Sequence, residues 1–88
     1  MHTQKSNEQL YKAIGNHERV QLIICLKEEK TVSALLLKCH LSQSALSQHL
    51  KILKEVGLVD CRRDGKYQYY KVSTKKVLNL CLNLQTFK

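Results

Sequence analysis

The sequence predicts one mainly helical domain, in the order α-α-α-α-β-β-α, and three observations predict it. Apolar residues recur at helical spacing through the first two thirds of the chain. The pattern then changes to two β-prone runs around Asp64-Gly65, and a last helical stretch follows from Ser73. Eighty-eight residues suit a single domain spanning 1–88. So short a chain buries a modest share of its surface alone, which favours support from a partner subunit.

Each element has a local reason. Ser6-Asn7-Glu8-Gln9 has the form of a capping box for a short first helix carrying Leu10 and Ile14 and stopping near Gly15. Asn16 is placed to cap a second helix from about His17 to Glu29, whose apolar side holds Val20, Leu22, Ile23, Ile24 and Leu26. Thr31 opens a third, shorter helix through Val32, Leu35, Leu36 and Leu37 to about Cys39. After a break at His40-Leu41, Ser42 caps a fourth helix that ends at Gly57. Asp64-Gly65, taken as a two-residue hairpin loop, sets Arg63 opposite Lys66 and Val59 opposite Tyr70. Ser73 or Thr74 caps the final helix, which carries Val77, Leu78, Leu80, Cys81, Leu82 and Leu84.

The net charge is +8, with fifteen Lys and Arg against seven Asp and Glu, which favours a polyanionic partner through counterion release. No apolar run approaches the roughly 20 residues of a membrane span, and the N-terminus lacks the pattern of a secretory signal, so a cytoplasmic protein is expected. Four cysteines, Cys25, Cys39, Cys61 and Cys81, include no CxC or CxxC pair, and no metal or cofactor is expected. No nucleophile-base pair or phosphate loop suggests an enzyme.

A short helix, a tight turn and a longer amphipathic helix over 31–55 form a helix-turn-helix, and the hairpin over 58–72 is a basic wing beside it. In the fourth helix Ala45, Leu46, Leu50, Ile52, Leu53 and Val56 share one sector, with His49 at its edge; Gln43, Ser44, Ser47, Gln48, Lys51, Lys54 and Glu55 share the other. Gln pairs bidentately with adenine and Ser bonds to several base edges, so Gln43, Ser44, Ser47 and Gln48 are candidate major-groove readers of double-stranded DNA, with Lys51 and Lys54 on phosphates. Arg62, Arg63 and Lys66 at the hairpin tip suit phosphates or the minor groove. The same features also fit an ordinary solvated helix face and a hairpin charged against edge pairing; a protein-interaction module is the rival class. The surplus apolar positions of the last helix, over 74–86, with Leu10 and Ile14 in 6–14, suit an isologous homodimer interface, or else a monomer's core.

Leu41-Ser42-Gln43-Ser44-Ala45-Leu46-Ser47-Gln48-His49-Leu50, with Leu53, Gly57-Leu58-Val59, Arg63, Gly65-Lys66 and Tyr69-Tyr70, resembles the ArsR/SmtB family of winged-helix repressors over about residues 14–72. The resemblance implies a homodimeric repressor that leaves its operator on sensing a metal ion or a thiol-reactive species, with DNA contacts from Gln43, Ser44, Ser47 and Gln48 and with His49 at the rim. Ser33–Cys39 lacks the paired thiols of the family's arsenic and cadmium sensors, and residues 74–88 contain no His, Asp or Glu for its zinc site. The stretch Gly15–Leu26 is most similar to the HlyU/BigR branch, which implies a redox role for Cys25 with a cysteine of the last helix, here Cys81, about two turns early. Helical geometry sets Cys25 on the polar side of its helix and Cys81 on an apolar stripe; Cys39 and Cys61 read as structural.

Overall fold

The computed structural model describes the backbone of residues 2–86 and the side chains of residues 8–86. Its elements run α1 (His2–Ile14), α2 (His17–Cys25), β1 (Lys30–Thr31), α3 (Val32–Lys38), α4 (Gln43–Glu55), β2 (Val59–Asp64), β3 (Tyr67–Val72) and α5 (Lys75–Thr86). The five helices surround a three-stranded antiparallel sheet of order β1-β3-β2. Residues 1, 87 and 88 of the expected domain lie outside the described residues.

Three details differ from expectation. First, α1 begins at His2, before Ser6, because nothing in Thr3-Gln4-Lys5 breaks a helix; the side chains of Ser6 and Asn7 lie outside the described residues. Second, α2 ends at Cys25 rather than Glu29, and Lys30–Thr31 form a short strand, with Lys30 opposite Tyr70 and Thr31 opposite Tyr69. The element order is therefore α-α-β-α-α-β-β-α. Third, the hairpin loop is Gly65-Lys66, with Asp64 opposite Tyr67, Arg63 opposite Gln68 and Val59 opposite Val72. Asp64-Gly65 as the loop would require a positive φ at Asp64, whereas among the described residues only Gly57 and Gly65 have one. Gly65, at φ 64°, stands first in the loop, where a type II′ turn places its glycine. The pairing moves by two residues in total, so every wing side chain keeps its face.

The caps fall where short polar side chains predict them. Asn16 accepts the Arg19 N–H at 3.0 Å, Thr31 that of Ala34 at 3.2 Å, Ser42 that of Ala45 at 3.1 Å and Thr74 that of Val77 at 3.2 Å. α4 ends in a Schellman motif: the Leu58 N–H donates to Leu53 O at 2.9 Å and the Gly57 N–H to Lys54 O at 3.1 Å, with Gly57 at φ 84°. Arg19 ties α1 to α2, its guanidinium donating to Ala13 O at 2.8 Å and Lys12 O at 3.3 Å.

One core unites the elements. Leu22, Ile23 and Leu26 of α2 and the segment after it, Leu35 of α3, Leu46, Leu50 and Leu53 of α4, Val59 and Val72 of the wing, and Cys81 of α5 are buried together. Tyr70 packs half-buried against that core and so anchors β3 to it. At the base of the wing, Val72 N–H donates to Leu26 O at 2.9 Å and Ser73 N–H to Leu58 O at 3.0 Å. These bonds fix the strands' inner ends and leave the basic tip projecting.

Candidate nucleic-acid interface

The i, i+4, i+7 spacing of Leu46, Leu50 and Leu53 buries one side of α4, and the same periodicity sends Gln43, Ser44, Ser47, Gln48, Lys51 and Lys54 to solvent. Ser42 spends its hydroxyl on the cap, which leaves the next residues as the first side chains the helix N-terminus offers.

A polar cleft of about 330 Å³ lies between α4 and the wing. Gln43 and Ser47 line one wall and Arg63, Lys66, Tyr67 and Gln68 the other, with Thr31, Val32 and Ser33 at its end. The structure thus brings two expected readers and two expected wing cations to one opening. Ser44 and Gln48 are exposed on the same helix outside the cleft, and Lys51 and Lys54 follow them toward its C-terminus. Thr31, Ser33, Tyr67 and Gln68 were not among the expected site residues. Thr31 comes to the cleft as the last residue of β1, a strand too short to show a period-2 pattern, and Ser33 from the first turn of α3.

Two expected contact residues are engaged elsewhere. His49 is only 12% exposed and faces α2, its Nε2 lying 3.2 Å from Glu18 Oε1, while its buried Nδ1 has no hydrogen-bond partner. It joins α2 to α4 and does not stand with the readers. Arg62 donates from Nε and Nη2 to the Glu29 carboxylate at 2.6 and 2.8 Å, and its guanidinium lies 4.5 Å from the Tyr69 ring centroid. These hydrogen bonds hold the Glu29 carboxyl below its ordinary range and the Arg62 guanidinium above its own. With Asp64 a further 3.7 Å away, the charge of Arg62 is largely offset. Arg63 and Lys66 remain as the wing's cations at the cleft, Lys66 lying 5.6 Å from the Tyr67 centroid.

The expected thiols also separate. Cys81 is fully buried in the core, and burial pushes its thiol up. Cys25 is half-buried and lines one recess with Cys39, which the sequence suggests is merely structural; burial, then the neighbouring Cys25, pushes the Cys39 thiol up. Cys61 meets Tyr70 within the sheet, where burial, then a hydrogen bond to Cys61, raises the phenol.

A helix-turn-helix followed by a β-wing, with a polar cleft between them, is the architecture of a winged helix-turn-helix domain. The chain belongs to the ArsR family: residues 18–60 match the model of the bacterial regulatory proteins of that family. Among its relatives are nodulation protein NolR of Rhizobium meliloti, 46% identical over 69 residues, and transcriptional activator HlyU of Vibrio cholerae, 41% identical over 69 residues. Each match covers 77% of this chain, which spans 57% of the length of NolR and 64% of that of HlyU. The solved structure of HlyU from V. cholerae superposes with a TM-score of 0.82 at 34% identity, covering 94% of this chain and 91% of the other. The homodimeric winged helix-turn-helix domain Mb0332 from Mycobacterium bovis superposes with a TM-score of 0.84 at 30% identity, covering 94% and 78%. The described helices include none long and apolar enough to cross a membrane.

Proposed function

We propose that this chain acts as a homodimeric, sequence-specific repressor on double-stranded DNA. The observation that carries the reading is the cleft where Gln43 and Ser47 face Arg63 and Lys66. In this role Gln43, Ser44, Ser47 and Gln48 read base edges in the major groove, Lys51 and Lys54 hold phosphates alongside, and Arg63 and Lys66 hold the flanking backbone or minor groove. Arg62 positions the wing through Glu29, and His49 positions α4 through Glu18.

The dimer is supported by an apolar face the monomer leaves uncovered. Tyr11 of α1 is 69% exposed, and Leu80 and Leu84, one turn apart on α5, are 45% and 39% exposed. Two-fold pairing of such a face sets two copies of α4 about one DNA turn apart, to meet a pseudo-palindrome. The related Mb0332 domain is a homodimer, which favours the same arrangement here. Repression follows from occupancy: a dimer seated over a promoter excludes polymerase. HlyU, by contrast, is an activator.

Selection of bound sites from a random DNA pool, followed by transcription in vitro from a promoter carrying the selected site, tests the reading. A two-fold-symmetric consensus and falling transcript with added protein are expected. Recovery of unrelated sequences would overturn sequence-specific binding, and a rising transcript would overturn repression.

A further inference from the structure

The base of the wing carries a second concentration of charge, away from the cleft. Lys27, Lys71 and Lys75 ring a depression of about 320 Å³ floored by Val72 and Leu78, with Asp60 at its border. Strand residues alternate their faces, so Lys71 stands on the side of the sheet opposite Gln68, which lines the cleft. It is also four residues beyond Tyr67, about 13 Å along β3. A duplex seated against α4 and the wing tip therefore leaves this patch uncovered.

The positive charge of the patch is only partly offset within the chain. Asp60 lies opposite Lys71 in the pairing of β2 with β3. Glu29 also acts on Lys71, but its carboxylate is committed first to Arg62. Among the described residues none of the three lysines stands within ion-pair distance of a carboxylate. Lys75 occupies the first turn of α5, where the helix dipole disfavours a cation, and that turn holds no acidic residue.

The apolar floor continues past the lysines. Leu82 follows Leu78 by one turn of α5 and is 37% exposed. It stands about 160° around the helix from both Leu80 and Leu84, outside the face proposed for the dimer. A basic rim beside an apolar strip is complementary to carboxylates that flank a bulky apolar side chain. A nucleic-acid backbone would satisfy the lysines and leave Leu82 in water. We infer that the base of the wing is a docking surface for an acidic, amphipathic segment of a partner protein. Lys27, Lys71 and Lys75 meet its carboxylates, and Leu78 and Leu82 meet its apolar side. From Lys75 to Leu82 the strip runs about 10 Å, enough for two helical turns of such a segment. Because the surface lies away from the cleft, the protein can hold DNA and a second protein together.

The test selects twelve-residue peptides from a random library displayed on phage. Phage that bind the Lys71→Glu, Lys75→Glu double variant are discarded first, and those that bind the wild-type chain are kept. Sequences with several Asp or Glu around Leu, Phe or Trp are expected. Fluorescence anisotropy with the leading peptide, labelled, then reads affinity. Lys71→Ala with Lys75→Ala should weaken binding about tenfold and Leu82→Ser about fivefold, with circular dichroism confirming that both variants fold. Lys66→Ala, at the cleft, should leave peptide affinity unchanged. A library that yields no acidic sequences overturns the docking surface. So does a peptide whose binding survives replacement of its apolar residues by serine, or one that Lys66→Ala weakens as much as the loss of Lys71 and Lys75. The selection uses no DNA, so its outcome is separate from that of the repressor reading.

Discussion

Replacing Gln43 and Lys66, one on each wall of the cleft, separates base reading from phosphate holding. Both side chains are exposed, so either substitution by alanine should change folding stability by no more than about 0.5 kcal/mol. A good bidentate Gln–adenine contact contributes about 1–3 kcal/mol of discrimination. A two-fold dimer loses it twice, so Gln43→Ala should weaken operator binding by about 2–6 kcal/mol, roughly 30-fold at the low end. Its binding to shuffled DNA should barely change. Lys66→Ala should act oppositely: each phosphate contact contributes about 0.9 to the slope of log K against log salt, so the dimer's slope should flatten by about two, evenly on both DNAs. Fluorescence anisotropy on the selected operator and on a shuffled duplex, over a series of salt concentrations, reads both effects. Equal losses on the two duplexes for Gln43→Ala would refute the assignment of α4 as reader. An unchanged slope for Lys66→Ala would remove the wing tip from the interface.

Gly57→Ala meets no neighbour within 4 Å, so its cost is the left-handed backbone alone, about 1–2 kcal/mol, seen as a lower Tm by calorimetry; an unchanged Tm would contradict the Schellman stop. Because Arg62 lowers the Glu29 pKa, the pair's contribution is fully present above the ordinary carboxylate value and is lost as pH falls through the lowered one. Wing amide-exchange protection, corrected for intrinsic rates, should therefore be flat through neutral pH and drop only in acid, whereas Glu29→Gln should show weakened protection already at neutral pH. Leu80→Glu with Leu84→Glu should shift the protein to monomer in sedimentation and weaken operator binding, while a persisting dimer would place the interface elsewhere.

What the sequence makes legible is what repeats locally. Leu46, Leu50 and Leu53 recur at helical spacing and Ser42 and Gly57 bracket them, so α4 and its outward face are readable residue by residue. The hairpin is readable in existence but not in register, because Gly65 satisfies a turn from either loop position and only the pairing with β2 decides which. Lys30–Thr31 carry no strand signal of their own; they are a strand because β3 offers them an edge. The bonds that redirect Arg62 and His49 join residues 33 and 31 positions apart, Glu29 and Glu18, and no local spacing announces them. The same holds for Cys25 and Cys39, which lie on different helices and meet only when α2 packs against the turn.

These long-range contacts converge on one stretch of chain. Glu18 holds His49 of α4, and Cys25 lines one recess with Cys39 at the head of the turn. Leu26 O accepts from Val72 at the wing's base, and Glu29 clamps Arg62 within the wing. Lys30 and Thr31 then pair with β3 directly. Residues 18–31 therefore touch the reading helix, the turn before it and the wing, although only Thr31 lines the cleft itself. Gln43 and Ser47 can contact bases while Arg63 and Lys66 contact the flanking backbone only if α4 and the wing keep a fixed separation, and this stretch braces both.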